Sequence, residues 1–101
     1  MHDETPARTY HLPSPVDLQT ALGSLGIDHL IVEPMRLFVI FRSAVLDLRV
    51  RQGDLEAADV VALAVLDGPP RSMETGVALR KQLLEQLAPS TGTDWIDNAG
   101  R

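Results

Sequence analysis

Met35-Arg36-Leu37-Phe38-Val39-Ile40-Phe41-Arg42-Ser43-Ala44-Val45-Leu46-Asp47-Leu48-Arg49-Val50-Arg51 is the stretch whose reading decides the fold. Its second half alternates in character, which places Leu46, Leu48 and Val50 on one face of a strand. Its first half, Leu37 to Phe41, is apolar on both sides. With Ile27 to Glu33 before it, the pattern predicts three extended segments, 27–33, 35–42 and 45–51. Turns at Glu33-Pro34 and Ser43-Ala44 would join them into an antiparallel meander. Counting outward from those turns pairs Phe41 with Leu46, Val39 with Leu48 and Leu37 with Val50. It also sets Leu37 against Leu30 and Met35 against Val32. Every pair is apolar, and a slip of one residue would turn the set to the wrong face. Two features resist: Ser43-Ala44 lacks the glycine or asparagine of a two-residue hairpin, and Asp28 falls on the apolar face.

Upstream of the meander, Ser14 is placed to cap a helix, with Pro15 where its missing N–H costs nothing and Asp17 near the positive end of the dipole. Leu18, Ala21, Leu22 and Leu25 then follow one helical stripe, ended by Gly23 and Gly26. Downstream, Gly53 and Asp54 mark a start, and the alanines and glutamate of 54–66 favour a helix; Val60 to Leu66 read alone would make a fourth strand. Asp67-Gly68-Pro69-Pro70 is a turn. A last helix is expected from Ser72 to Ala88, with Met73, Val77, Leu84 and Leu87 on a stripe, Leu83 beside it and Pro89 as its stop.

The expectation is therefore an α+β, two-layer domain at residues 14–88: a three-stranded antiparallel meander, with a possible fourth strand at 60–66, packed by helices in the order α-β-β-β-α-α. Residues 1–13, with Pro6 and Pro13 and no apolar periodicity, are expected to be a flexible N-terminal arm. Residues 89–101 are expected to be a C-terminal tail.

The 101 residues suit one domain, and 45% hydrophobic against 23% charged suits a folded one. Cysteine is absent, which excludes disulfides, thiolate nucleophiles and cysteine-ligated metals. Net charge −5 and only four aromatics argue against nucleic-acid or anionic membrane surfaces as partners. No apolar run nears the ~20 residues of a membrane-spanning helix. The acidic start, Met1-His2-Asp3-Glu4, is unlike a signal peptide, and a cytoplasmic location is expected.

Chemistry of known spacing is hard to find. No serine stands in a Gly-x-Ser-x-Gly context, no histidine pair has metal-ligand spacing, and no glycine-rich phosphate loop is present. Asp67 to Ser72, with Arg71, precedes a helix and would more often be a rigid loop than an anion site. His29 within a strand is more often a hydrogen-bonded structural residue than a base. No catalytic residue, metal or cofactor is expected, and an enzyme ranks last.

The second face of the meander gathers Ile27, His29, Ile31, Arg36, Phe38, Ile40, Arg42, Val45, Asp47, Arg49 and Arg51. A solvated face is normally polar throughout, whereas this one has an apolar middle and an arginine-rich border. These residues are the candidate interface, first of all for a second copy of the chain. The predicted function is that of a small acidic interaction or regulatory protein working as a homodimer and toward another, unidentified protein. The alternative is a binding module for a small anionic ligand, using Arg36, Arg42, Arg49 and Arg51. Trp95 and Ile96, in Thr93-Asp94-Trp95-Ile96-Asp97, would either dock a partner or fold back on the domain. Small size, acidity, a first helix, a three-strand meander and an amphipathic last helix together resemble the type III secretion chaperones. That resemblance is architectural and implies a dimer.

Overall fold

In the computed structural model, which describes residues 5–67 and 76–97, the chain runs β1 (Thr5–Val16), α1 (Leu18–Ser24), β2 (Asp28–Glu33), β3 (Arg36–Phe41), β4 (Ala44–Gly53), β5 (Ala58–Asp67), α2 (Gly76–Thr91) and β6 (Ile96–Asp97). The strands form one antiparallel six-stranded sheet in the order β2-β3-β4-β5-β1-β6. Both helices lie on one face. Leu18 and Leu22 of α1 and Leu79, Leu83 and Leu87 of α2 pack there against Leu37, Val39, Leu46, Leu48, Val61, Leu63 and Val65. The mixed α+β class stands as expected. The three-stranded sheet and the order α-β-β-β-α-α do not, and the architectural resemblance to secretion chaperones goes with that order.

Five corrections follow. Of the two readings of 54–66 the helix fails: the segment opens with a turn, and the alternative strand at 60–66 lies within β5. Asp54 does cap, but it caps a turn: its Oδ1 accepts from the backbone N–H groups of Glu56 at 3.0 Å and Ala57 at 2.9 Å. Beyond that turn β5 lies between β4 and β1, so its near-continuous apolar run is covered by neighbours on both edges, and tertiary context overrides the helical preference of alanine. Gly53 makes the exit possible, with φ +91 and no room for a Cβ beside the Ala57 carbonyl oxygen.

The stretch read as an arm is mostly β1, and residues 1–4 lie outside the described residues. Tyr10 and Leu12 point into the core. The prolines that obscured the strand sit in its two register shifts, Pro6 between Thr5 and Arg8, Pro13 and Pro15 between His11 and Val16, where ladder N–H groups are not needed. Because Pro15 and Val16 remain extended, α1 starts later than expected. Its cap is Asp17, whose Oδ1 accepts from Thr20 N at 3.1 Å.

The β3–β4 turn is Arg42-Ser43, one residue earlier than expected, so Phe41 pairs Ala44, Val39 pairs Leu46 and Leu37 pairs Leu48. Each pair moved by two positions in total, which preserves the faces. The β2–β3 register moved by one. A turn at Pro34-Met35 and a shift between Ile31 and Glu33 set Ile31 opposite Leu37 and Leu30 opposite Phe38. The faces of β2 are thereby exchanged.

Candidate functional site

The sheet face away from the helices is the candidate surface. Phe38 and Ile40 of β3 stand there with Leu30 of β2 and Val45 of β4, because each occupies the strand position opposite in parity to the core residues. Leu30 is 64% exposed and Ile40 45%, while Phe38 and Val45 are half-buried. Beyond Val45, β5 offers only small or partly covered groups on this side: Ala62 and Ala64 lie level with Arg49 and Asp47.

One carboxylate organises the charges. Asp47, 5% exposed, accepts from Arg36 Nε at 2.9 Å and Nη2 at 3.2 Å, and from Arg49 Nε at 3.0 Å. The fork-on-carboxylate contact fixes the Arg36 plane, and its guanidinium carbon sits 5.2 Å from the centre of the Phe38 ring. Glu33 Oε2 approaches the same guanidinium at 3.8 Å. The hydrogen bond to Asp47, opposed by burial and helped by the charges of Asp47 and Glu33, raises the Arg36 pKa above its ordinary value. Arg36, Arg49, Asp47 and Glu33 together sum to zero, so this corner is neutral. Arg42 lies in the turn at the other end of β3, about 20 Å along a strand from Arg36. Four arginines do not converge on one point.

Of the residues expected on this face, Phe38, Ile40, Val45, Arg36, Asp47 and Arg49 are brought together. Arg51 is exposed further along β4. Ile27, His29 and Ile31 belong to the other side: Ile27 is in the core, and His29 Nδ1 lies 2.9 Å from the Ile27 carbonyl oxygen. Leu30, expected inside, takes their place. Trp95 packs on its own domain, 6.4 Å from the Tyr10 ring on the helix side, and Ile96 is exposed in β6 opposite His11. The indole is therefore no cover for Phe38 and Ile40.

Comparison with protein-family models, with curated proteins and with solved structures gives no match. Among the described residues no group of three histidines or acids is placed to hold a metal ion, and no helix is long and apolar enough to cross a membrane.

Proposed function

We propose that this is a small interaction protein that acts as a homodimer through its open sheet face. The supporting observation is the apolar cluster of Leu30, Phe38, Ile40 and Val45, which none of the chain's own described elements covers. Burying one large apolar side chain is worth roughly 1.5–3 kcal/mol. Four from each copy offset much of an association cost of about 4–15 kcal/mol.

Charge selects the orientation. On this face the β2 side carries Asp28 and Glu33, and the β4 side carries Arg49. A two-fold axis running along β3 sets β2 of one copy over β4 of the other, at the same height along the strands. Glu33 then meets Arg49 of the second copy, and the two Arg36 side chains that come together on the axis are each already held by Asp47; an axis across the strands would set acid over acid. The rival reading, a small-anion module on the same face, is disfavoured by the neutral corner and by the span between Arg36 and Arg42.

Light scattering at micromolar concentration tests the proposal, with a mass twice the 11.0 kDa of the chain expected. Leu30→Lys with Ile40→Lys should halve that mass while leaving the circular dichroism spectrum unchanged, and Glu33→Arg should weaken association less. A wild-type mass near that of one chain overturns the reading.

A further inference from the structure

β2 ends the sheet, and among the described residues no strand lies along its outer side. The direction of its backbone groups follows from the next two strands. Val50 N donates to the Met35 carbonyl oxygen at 2.7 Å, so odd positions of β3 bond toward β4 and even positions toward β2. Asp28 and Leu30, opposite Ile40 and Phe38, therefore direct their N–H and C=O groups to β3. His29 and Ile31 turn theirs outward. The carbonyl of Ile27, just before the strand, is met by His29 Nδ1 at 2.9 Å, which leaves the groups of His29 and Ile31 as the open row. An antiparallel strand laid there gains two backbone hydrogen bonds at each of these positions.

Natural edges are usually blunted by shortness, lysine, proline or a bulge. β2 is six residues long with neither lysine nor proline, and its register shift falls after Ile31, so Asp28 to Ile31 stay regular. Exposed apolar side chains stand on both faces of this stretch, Leu30 on the open face and Ile31 on the helix side. A dimer across the open face covers Leu30 but neither Ile31 nor the backbone row.

Charge says what the added strand is. Asp28 is exposed and has no ion-pair partner among the described residues, whereas Glu33 shares Arg36. A second copy paired edge to edge, centred on Leu30 or on Ile31, brings Asp28 of one copy beside Glu33 of the other. A basic residue in that place turns the repulsion into attraction, in a chain whose net charge is −5.

We propose that β2 accepts, antiparallel, an extended segment of a partner protein with a lysine or arginine opposite Asp28 and apolar residues opposite Leu30 and Ile31. The site does not depend on the open-face dimer, because its hydrogen bonds come from the rim of the sheet.

The test titrates the full-length chain into a fluorescein-labelled peptide, Ser-Thr-Val-Ile-Thr-Lys-Ser, and reads anisotropy. This peptide sets its Val opposite Ile31, its Ile opposite Leu30 and its Lys opposite Asp28. A saturable rise is expected at submillimolar chain concentration. N-methylation of the Val and of the Thr after Ile, whose N–H groups face β2, should weaken binding at least tenfold. N-methylation of the Ile and Lys, whose N–H groups face away, should change it less than twofold. Glu in place of the peptide Lys should weaken binding at least fivefold, and exposed Asp28→Lys in the chain should restore it for that Glu peptide. No saturation, equal loss from the two methylation patterns, or no reversal in Asp28→Lys each overturns the proposal. So does a peptide that lowers the mass in light scattering, which would put a second copy on the edge. Anisotropy reads the edge whether the mass is that of one chain or of two, so the dimer and this site fail separately.

Discussion

The two ends of the sheet are built to different standards. At the β1–β6 end, α2 lies over the strands, Tyr10 and Leu12 are buried, Trp95 closes on Tyr10, and Asp97 ties back to Arg8. The outer strand there, β6, has two residues. At the β2–β3 end, Leu30, Ile31, Val32, Met35 and Ile40 are all exposed, and the outer strand has six residues. Geometry explains the asymmetry. Six strands span about 24 Å between outer axes. Two helices packed side by side at 8–10 Å cover about 20 Å of that width. One edge has to lie beyond the cover, and a short edge is the safer one to leave unpaired. Here the longer and more apolar edge is the bare one, with the acids Asp28 and Glu33 at its two ends.

The largest effect that tests this contrast is the cost of removing a leucine from each end. Leu83→Ala empties a fully buried position on α2 and should cost about 2–5 kcal/mol in urea unfolding. Leu30→Ala should change the stability of the dissociated chain by less than about 0.5 kcal/mol and act instead on the mass in light scattering. Equal unfolding costs would mean that the bare end is covered after all. Next in size is Trp95→Ala. A half-buried indole resting on Tyr10 contributes roughly 1–2 kcal/mol, measured in the same way.

A pH dependence belongs to the covered end alone. Burial raises the Tyr10 pKa above its ordinary 10.0; Arg80 and Arg8 lower it and Asp97 raises it further, without reversing the result. The unfolded chain thus gives up this proton at a lower pH than the folded one. The stabilisation is complete below pH 10 and is lost as the pH climbs from there through the folded value. Urea midpoints measured from pH 9 to 11 should fall, and Tyr10→Phe should flatten the decline. The chain's single tyrosine can be followed directly by its ultraviolet absorbance. Titration at 10.0 in the folded chain would show that α2 does not shield this end.

How much of this was legible follows from what each residue had to do. Val45 to Arg51 alternate because one face is core and the other open, and β3 and β4 were readable from that alternation with faces intact. The register of β2 was not, because the shift between Ile31 and Glu33 adds a residue that no periodicity announces, and it carried Leu30 to the open face and Ile31 to the helix side, where it is still exposed. β5 resembled a helix because alanines fill its outer side, where Ala62 and Ala64 lie level with Arg49 and Asp47. β1 was hidden by prolines that occupy only its irregular positions. The cleft between β1, α2 and β6, lined by Arg8, Tyr10, Arg80, Lys81 and Trp95, was least legible of all. Arg8 and Tyr10 fall in the stretch that reads as an arm, and Arg80 and Lys81 lie some seventy positions away; only the fold brings them together. The signal available was Arg80 itself, a charge flanking the Leu79-Leu83-Leu87 stripe of α2.

The smallest effect sharpens the bare end, where register rests on turns rather than on helix cover. Arg42 and Ser43 have φ of 53° and 67°, the left-handed pair of a tight hairpin turn that glycine and asparagine fill without strain. An ordinary residue held there costs roughly 1–2 kcal/mol. Glycine at position 43 relieves that strain and loses part of the gain to the greater freedom of the unfolded chain. Ser43→Gly should therefore stabilise the protein by about 0.5 kcal/mol. Ala44→Gly should do the reverse, costing about 1 kcal/mol, because Ala44 is fully buried in β4 opposite Phe41 and gains nothing from a freer backbone. A turn centred one residue later, on Ser43-Ala44, would make both substitutions favourable. It would also re-pair Phe41 with Leu46 and carry β4 two residues along β3 without exchanging its faces. Opposite signs at these adjacent positions in thermal unfolding are the result that fixes the hairpin, and with it the alignment of Ile40 with Val45 on the open face.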